Sequence, residues 1–189
     1  MLAQTYRLPY RLIFLGLVGL LLLGCGSAPE VELPASSQPM QLQSSAFDPE
    51  ETIPQTYTCD GQDLSPPLSW DAPPEGTQSL ALIADDPDAP SGTFVHWIIF
   101  NLAADVRSLP EAVPPDNTLP SGGIQGKNGF GNIGFGGPCP PSGTHRYFFK
   151  LYALDTELDL GSGASKPDVV KAIDGHILGH AELMGTYSR

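Results

Sequence analysis

Three segments of the chain alternate apolar and polar side chains with a period of two, or run continuously apolar, as β-strands do. They are SLALIAD (79–85), FVHWIIFNL (94–102) and HRYFFKLYAL (145–154). Only PDVVKAIDGHIL (167–178) has helical spacing, with Pro167 at its start and Gly179 as the expected stop. The chain has 21 glycines and 20 prolines, which separate these segments at short intervals. The pattern predicts one mainly β domain of the sandwich type.

The beginning of the chain has a different pattern. Arg7 and Arg11 precede a continuous apolar run, residues 12–24. This run is shorter than the ~20 residues of a membrane-spanning helix and fits the apolar region of a signal peptide. The sequence Leu-Leu-Gly-Cys that ends at Cys25 resembles the lipobox of bacterial lipoproteins, in which the cysteine is lipidated. We therefore expect residues 1–24 to be a lipoprotein signal peptide.

These features predict an exported protein that Cys25 anchors through lipid to a membrane of the bacterial cell envelope. Residues 25–43 are rich in Ser, Pro and Gln without apolar periodicity, so we expect a flexible tether there. The folded domain is then expected to comprise residues 44–189.

Charge narrows the possible ligands. All 21 acidic residues follow Cys25, whereas Arg7 and Arg11 precede it, so the exported part has seven Lys and Arg residues and a net charge of −14. Such a surface disfavours nucleic acid and offers no basic patch to anionic lipid headgroups. An anion would have to be bound by a few local groups, which can then be sought residue by residue.

Cysteine usage adds a structural expectation. The chain has three cysteines, and with Cys25 lipidated, Cys59 and Cys139 remain in an oxidising compartment. We expect these two to form a disulfide, although two free thiols are the alternative. The bond would tie the TCDG turn (58–61) to the rigid Gly-Pro loop GPCPPSG (137–143).

Each of the three strands carries an ionisable side chain on its apolar face. By alternation, Asp86 lies with Leu82, and the histidines His96 and His145 lie with the apolar residues of their own strands. The short connection between the first two strands should bring Asp86 close to His96. A carboxylate beside two imidazoles can bind an anion, act as an acid/base pair, or satisfy buried polar neighbours, and the pattern leaves these alternatives open.

The residues around these positions also resemble a known family. DPDAP (86–90) followed by His96-Trp97, and GPCPPSGTHRY (137–147), look like the two signature blocks of the phosphatidylethanolamine-binding protein family, which includes the Raf kinase inhibitor-like proteins. Two further stretches, YTCDGQDLSPPLSWDAPP (57–74) and AELMGTYSR (181–189), are similar to its bacterial branch.

The resemblance implies a mainly β fold of two antiparallel sheets with Greek-key connections and a few short helices. It also implies a small pocket that binds phosphate-type anions, with the Gly-Pro loop as a rim that supplies backbone N–H donors. The residues that match the family's pocket are Asp86, His96, Gly137, Pro138, His145 and Tyr147, with Asp88 and Pro90 in the pocket wall.

The remaining candidate motifs are weak. His176 and His180 are four residues apart, but no HExxH motif accompanies them, so we expect a solvated helix end and no metal site. The glycine-rich stretch 123–137 lacks a nucleotide-binding pattern and predicts a loop at the pocket edge, with Phe130 and Phe135 folded inward. The sequence therefore predicts no cofactor.

Together these observations favour a binding or regulatory module of the cell envelope that takes a small anionic group. A hydrolase that uses Asp86 with His96 or His145 as an acid/base pair is the alternative. A third reading is a protein that inhibits a protease or kinase-like partner in the envelope, the partner itself being unknown.

Overall fold

A computed structural model of the protein describes Met1 and residues 30–189. The expected signal peptide beyond Met1 lies outside the described residues, as do Cys25, the expected site of lipidation, and the first part of the expected tether. Within the described part, no helix has the length and apolarity needed to cross a membrane.

The described residues form nine strands, one α-helix and one 3-10 helix. The strands are β1 Gln38–Pro39, β2 Leu42–Gln43, β3 Leu68–Trp70, β4 Ser79–Asp86, β5 Phe94–Ala103, β6 Ser108–Leu109, β7 Ile124–Gln125, β8 Thr144–Leu154 and β9 Ile177–Ser188. The 3-10 helix is Gln55–Tyr57 and the α-helix, α1, is Lys166–Ile173. The three strands expected from the sequence correspond to β4, β5 and β8.

The strands form two sheets. One has six strands in the order β1-β9-β8-β4-β5-β7, and the other has three in the order β2-β3-β6. All pairs are antiparallel except β1 with β9, which are parallel. The prediction of a mainly β fold with two sheets is confirmed.

Alternation along the central strands divides the buried side chains between two layers. One layer lies between the sheets, where Leu82 of β4 and Leu151 of β8 belong to the same cluster as Leu68 and Trp70 of β3. The other lies under α1, where Ile83 of β4 packs in a cluster with the apolar face of the helix. Both faces of β4 are therefore buried, as its continuous apolar sequence indicates.

The helix is shorter than its sequence pattern predicts. Ser165 begins α1 with a capping box to Asp168, and the helix ends at Ile173, before Gly175, whose φ of 77° is left-handed. The expected continuation to residue 178 is wrong because Ile177 is the first residue of β9 and pairs with Leu154. Gly179 is a strand residue that contacts Pro74 closely, not a helix stop.

Part of the expected tether is attached to the domain. β1 and β2 both lie within residues 25–43, and the side chain of Leu42 is buried between the sheets. The Met40 amide also donates to the His180 carbonyl at 2.7 Å. Composition predicts flexibility here, but two short strand pairings supply the backbone hydrogen bonds that the sequence pattern does not reveal.

Candidate ligand-binding site

A buried carboxylate and a buried histidine meet where β4 ends and β8 begins. His145 Nδ1 lies 2.7 Å from Asp86 Oδ2, and the other carboxylate oxygen accepts the Asp88 amide at 2.8 Å. Only 3% of Asp86 and 7% of His145 are exposed. Because a carboxylate accepts, His145 Nδ1 carries the hydrogen, and its Nε2 is the ring nitrogen left for a ligand.

The second histidine is oriented by the backbone. His96 Nδ1 donates to the Gly136 carbonyl at 2.6 Å, so its Nε2 is also the remaining ring nitrogen. The expectation that the Asp86 carboxylate approaches His96 is only partly met. Both side chains line one cavity, but the hydrogen bond of the carboxylate is to His145.

A β-bulge turns His96 toward this cavity. Ala84 pairs with Trp97 and the next residue, Asp85, pairs with Val95, so His96 is an extra residue in β5. Strict alternation would place His96 with Ile98, which belongs to the layer under α1. The bulge instead brings its ring to 5.2 Å from Tyr147, measured between centroids, on the side of Asp86 and His145.

The cavity between these side chains has a volume of about 140 Å³. This is smaller than the roughly 300–1,000 Å³ of a typical small-molecule site, so it suits a small group. Apart from its three ionisable residues, its wall is mainly apolar. The cavity is lined by Asp86, Ala89, Pro90, Phe94, His96, Phe130, Cys139, Pro140, Pro141 and His145.

The Gly-Pro loop is held rigidly at the cavity rim. The expected Cys59–Cys139 disulfide is present, with 5.4 Å between the Cα atoms. A Cβ on Gly137 would lie 2.5 Å from the Tyr57 carbonyl oxygen, so glycine is required for this close approach. Asp63 accepts the Gly137 amide at 2.6 Å. This donor of the Gly-Pro loop is therefore already paired and is not free for an anion.

Burial determines the electrostatics of the site. It lowers the pKa of His96 below the ordinary value of 6.5, and the Gly136 carbonyl and the Asp86 charge offset only part of this effect. Burial, and after it the charge of Asp86, raises the pKa of the Tyr147 hydroxyl. That hydroxyl is buried and has no hydrogen-bond partner among the described residues.

The other predicted site residues have supporting positions. Pro90 lines the cavity, whereas Pro138 lies behind the rim, where its carbonyl accepts the Cys59 amide at 3.1 Å. Asp88 forms two side-chain hydrogen bonds with Arg146, of 2.7 and 2.9 Å. The Arg146 guanidinium lowers the pKa of Asp88 to about 2. Asp88 thus fixes the turn whose amide holds the Asp86 carboxylate.

Two aromatic residues complete the wall. Phe94 lies two residues before His96, and its ring centroid is 5.1 Å from that of the histidine. Phe130 packs against Phe94 at 4.7 Å but remains 49% exposed, so the expectation that it folds inward is wrong for this half of the ring. Phe135 is folded inward as expected, because its ring contacts buried Trp97 at 5.5 Å. The partners Gly136 and Asp63 were not predicted, since a backbone acceptor and a distant loop carboxylate leave no pattern in the sequence.

Other parts of the domain are less suited to a ligand. His176 bonds to Asp155 at 2.8 Å and His180 lies within β9, so the two do not share a helix end. No group of three or more His, Cys, Asp or Glu side chains in the described residues could hold a metal ion. A larger cavity of about 420 Å³ lies between residues 30–32 and α1, but it has no buried histidine.

The fold and the cavity define a class: a mainly β domain with a small ligand site built from two buried histidines and a carboxylate. Residues 43–188 match the sequence profile of the phosphatidylethanolamine-binding protein family. This chain belongs to that family.

Relatives and solved structures agree with this assignment. A UPF0098 protein from Methanothermobacter thermautotrophicus is 57% identical over 150 residues, which cover 79% of this chain and 99% of the relative. A crystal structure of a phosphatidylethanolamine-binding protein homolog from Chlamydia trachomatis is similar, with a TM-score of 0.74 and 43% identity over 81% of this chain and 99% of the other.

A second crystal structure, of YbcL from E. coli, is described as a new member of the mammalian family. It has a TM-score of 0.75 and 36% identity, covering 79% of this chain and 98% of that one. The relatives include archaeal as well as bacterial proteins, so the similarity extends beyond the bacterial branch.

Proposed function

We propose that this protein binds a small phosphate-type anion in the cavity between His96 and His145. The observation that supports the proposal is that both Nδ1 atoms already have hydrogen-bond partners. His96 Nδ1 bonds to the Gly136 carbonyl at 2.6 Å, and His145 Nδ1 bonds to the Asp86 carboxylate at 2.7 Å. Each ring is thereby fixed with Nε2 available. A protonated ring donates from Nε2 to an anion, whereas a neutral ring in this tautomer offers only a lone pair there.

The cavity matches such a ligand in size and polarity. Its volume of about 140 Å³ accommodates a small charged group, and the exposed side of Phe130 lies where a larger substituent would emerge. Tyr147, which the sequence also predicts in the site, packs against His96 at 5.2 Å between ring centroids but does not line the cavity.

We further propose that the protein acts in the bacterial cell envelope, exported and anchored to a membrane through a lipid on Cys25. The support is the apolar run 12–24 after Arg7 and Arg11, followed by Leu-Leu-Gly-Cys. A protein partner would then bind the domain at the surface of that membrane. A hydrolase is less favoured, because the described residues that line the cavity include no serine, and Cys139 of the cavity wall is in the disulfide.

Histidine ring signals in an NMR titration with inorganic phosphate at pH 6 test the binding site. We expect the signals of His96 and His145 to shift, whereas those of His176 and His180 serve as internal controls and stay in place. Shifts confined to the two control histidines would contradict the proposed site. Turnover of phosphoesters that is lost in His145→Ala would instead favour the hydrolase.

A further inference from the structure

A cluster of four charged side chains lies on the α1 side of the six-stranded sheet, outside the candidate ligand site. Asp85 of β4 is fully buried and contacts Lys166 of α1 at 2.7 Å and Lys150 of β8 at 3.1 Å. The fourth member, Glu30, reaches the same two lysines at 2.8 and 3.3 Å. Lys166 is itself only 4% exposed.

Glu30 neutralises the net charge of this cluster. Asp85 and the two lysines alone have a net charge of +1, and an uncompensated buried charge is costly. The Glu30 carboxylate brings the sum to zero. The sheet and α1 hold the other three groups in place, whereas Glu30 belongs to the chain that precedes β1.

The neighbouring residue adds an apolar attachment. Val31 packs against the buried cluster under α1, which includes Val170 and Ile173. The segment that enters the domain is therefore held by an ionic contact at Glu30 and an apolar contact at Val31. Glu32 next to them is exposed and forms no ion pair within the described part of the chain.

We propose that Glu30 and Val31 form a clamp that shortens the tether and holds the domain against the lipid surface. This inference rests on the proposed lipid anchor at Cys25. Five residue steps separate Cys25 from Glu30, and a fully extended chain covers at most about 18 Å in that interval. The membrane then faces the side of the domain that carries Glu30 and α1.

Release of the clamp would more than double the greatest distance that the chain can span. The next attachment of the chain is Ser37, whose hydroxyl lies 3.3 Å from His180 Nδ1, twelve residue steps after Cys25. An extended chain of that length reaches about 42 Å, more than twice the clamped limit. The domain could then turn and move away from the lipid, which its net negative charge favours at an anionic surface.

Limited proteolysis of the full chain in detergent, with a protease of broad specificity, tests the clamp itself. In Glu30→Gln we expect cleavage within residues 31–36 to be about tenfold faster or more, because the lysines lose their second carboxylate and the segment detaches. Glu32→Gln removes the same charge from the same segment and should be cleaved like the wild type. Val31→Ser should show the faster cleavage as well. An uncut β8 in all variants establishes that the domain is folded, and equal cleavage rates in Glu30→Gln and wild type would overturn the clamp.

Neutron reflectometry on a bilayer of phosphatidylcholine with anionic phosphatidylglycerol tests the distance. The protein purified from the membranes of an exporting host should leave a gap between lipid and domain of at most about 18 Å in the wild type and in Glu32→Gln. Glu30→Gln should widen the gap. An unchanged gap would overturn the spacing role. Protein that does not associate with the bilayer would refute the anchor, while the proteolysis experiment still decides the clamp.

Discussion

The Asp86 carboxylate is expected to strengthen anion binding, whereas a carboxylate at the surface would weaken it or leave it unchanged. This carboxylate accepts from His145 at 2.7 Å and thereby fixes the orientation of that ring. We therefore predict that Asp86→Ala weakens phosphate binding about tenfold or more, although it removes a negative charge from an acidic domain. Calorimetric titration measures this directly.

The matched control is Asp105→Ala, which changes the net charge equally at an exposed position. Its phosphate affinity should be unchanged or slightly higher. An Asp86→Ala variant that binds phosphate as tightly as Asp105→Ala would mean that the carboxylate does not orient the histidine.

His96 makes the stability of the domain depend on pH. Burial lowers its pKa in the folded state, whereas in the unfolded chain it takes up a proton near pH 6.5. Between these values the folded state binds fewer protons, so the free energy of unfolding falls as pH decreases through this window. The slope from this one group is at most about 1.4 kcal/mol per pH unit.

Urea denaturation between pH 5 and pH 7.5 measures this dependence. In His96→Asn the contribution should be lost, so the difference in free energy of unfolding between wild type and variant should itself change with pH. A difference that is constant over the whole range would show that His96 protonates equally in the folded and unfolded chain.

At the scale of elements, the Gly-Pro loop depends on one close backbone contact. A Cβ at residue 137 would lie 2.5 Å from the Tyr57 carbonyl oxygen and 2.6 Å from the Asp63 carboxylate. We predict that Gly137→Ala lowers the free energy of unfolding by roughly 1–3 kcal/mol because the loop must move. Gly161→Ala is the control, since nothing lies within 4 Å of its new Cβ. Equal unfolding midpoints for the two variants would contradict this role of the loop.

The disulfide stabilises the same pair of loops. It links residues 80 apart in sequence, and chain entropy gives such a bond a contribution of about 3–5 kcal/mol. We predict that Cys59→Ser with Cys139→Ser lowers the free energy of unfolding by this order. In the folded wild type with Cys25 lipidated, a thiol reagent should titrate no cysteine without reductant, and one reactive thiol per chain would contradict the assignment.

Sequence patterns predict those elements whose causes are local. The strands β4, β5 and β8 follow from alternating or continuous apolar residues, and the two signature blocks indicate the site residues. The bulge at His96 is not predictable in this way, because it depends on how β5 pairs with β4. The hydrogen bond from Gly137 to Asp63 is equally unpredictable, because the two residues are 74 apart in sequence. The early end of α1 also depends on a distant residue, since Ile177 pairs with Leu154 in the sheet instead of continuing the helix.

On the scale of the whole molecule, the proposed anchor determines where the domain acts. We predict that Cys25→Ala prevents lipidation and leaves the protein unprocessed or released from the membrane, because the lipobox-like sequence requires this cysteine. Fractionation of an exporting bacterial host, with Cys59→Ser as a control for cysteine loss, measures the effect. Wild-type protein that is soluble without detergent would contradict the anchor.

The central claim is that two fixed histidines bind an anion. Calorimetric titration at pH 5 and pH 7.5 tests it most directly, with sulfate beside phosphate because the charge of sulfate does not change in this range. Because burial lowers the pKa of His96, its ring takes up a proton only below pH 6.5, so we predict that both anions bind more tightly at pH 5. We also predict that His96→Ala or His145→Ala weakens binding at pH 5 by roughly tenfold to a hundredfold. Affinity for sulfate that is independent of pH and unchanged in both variants would contradict the account.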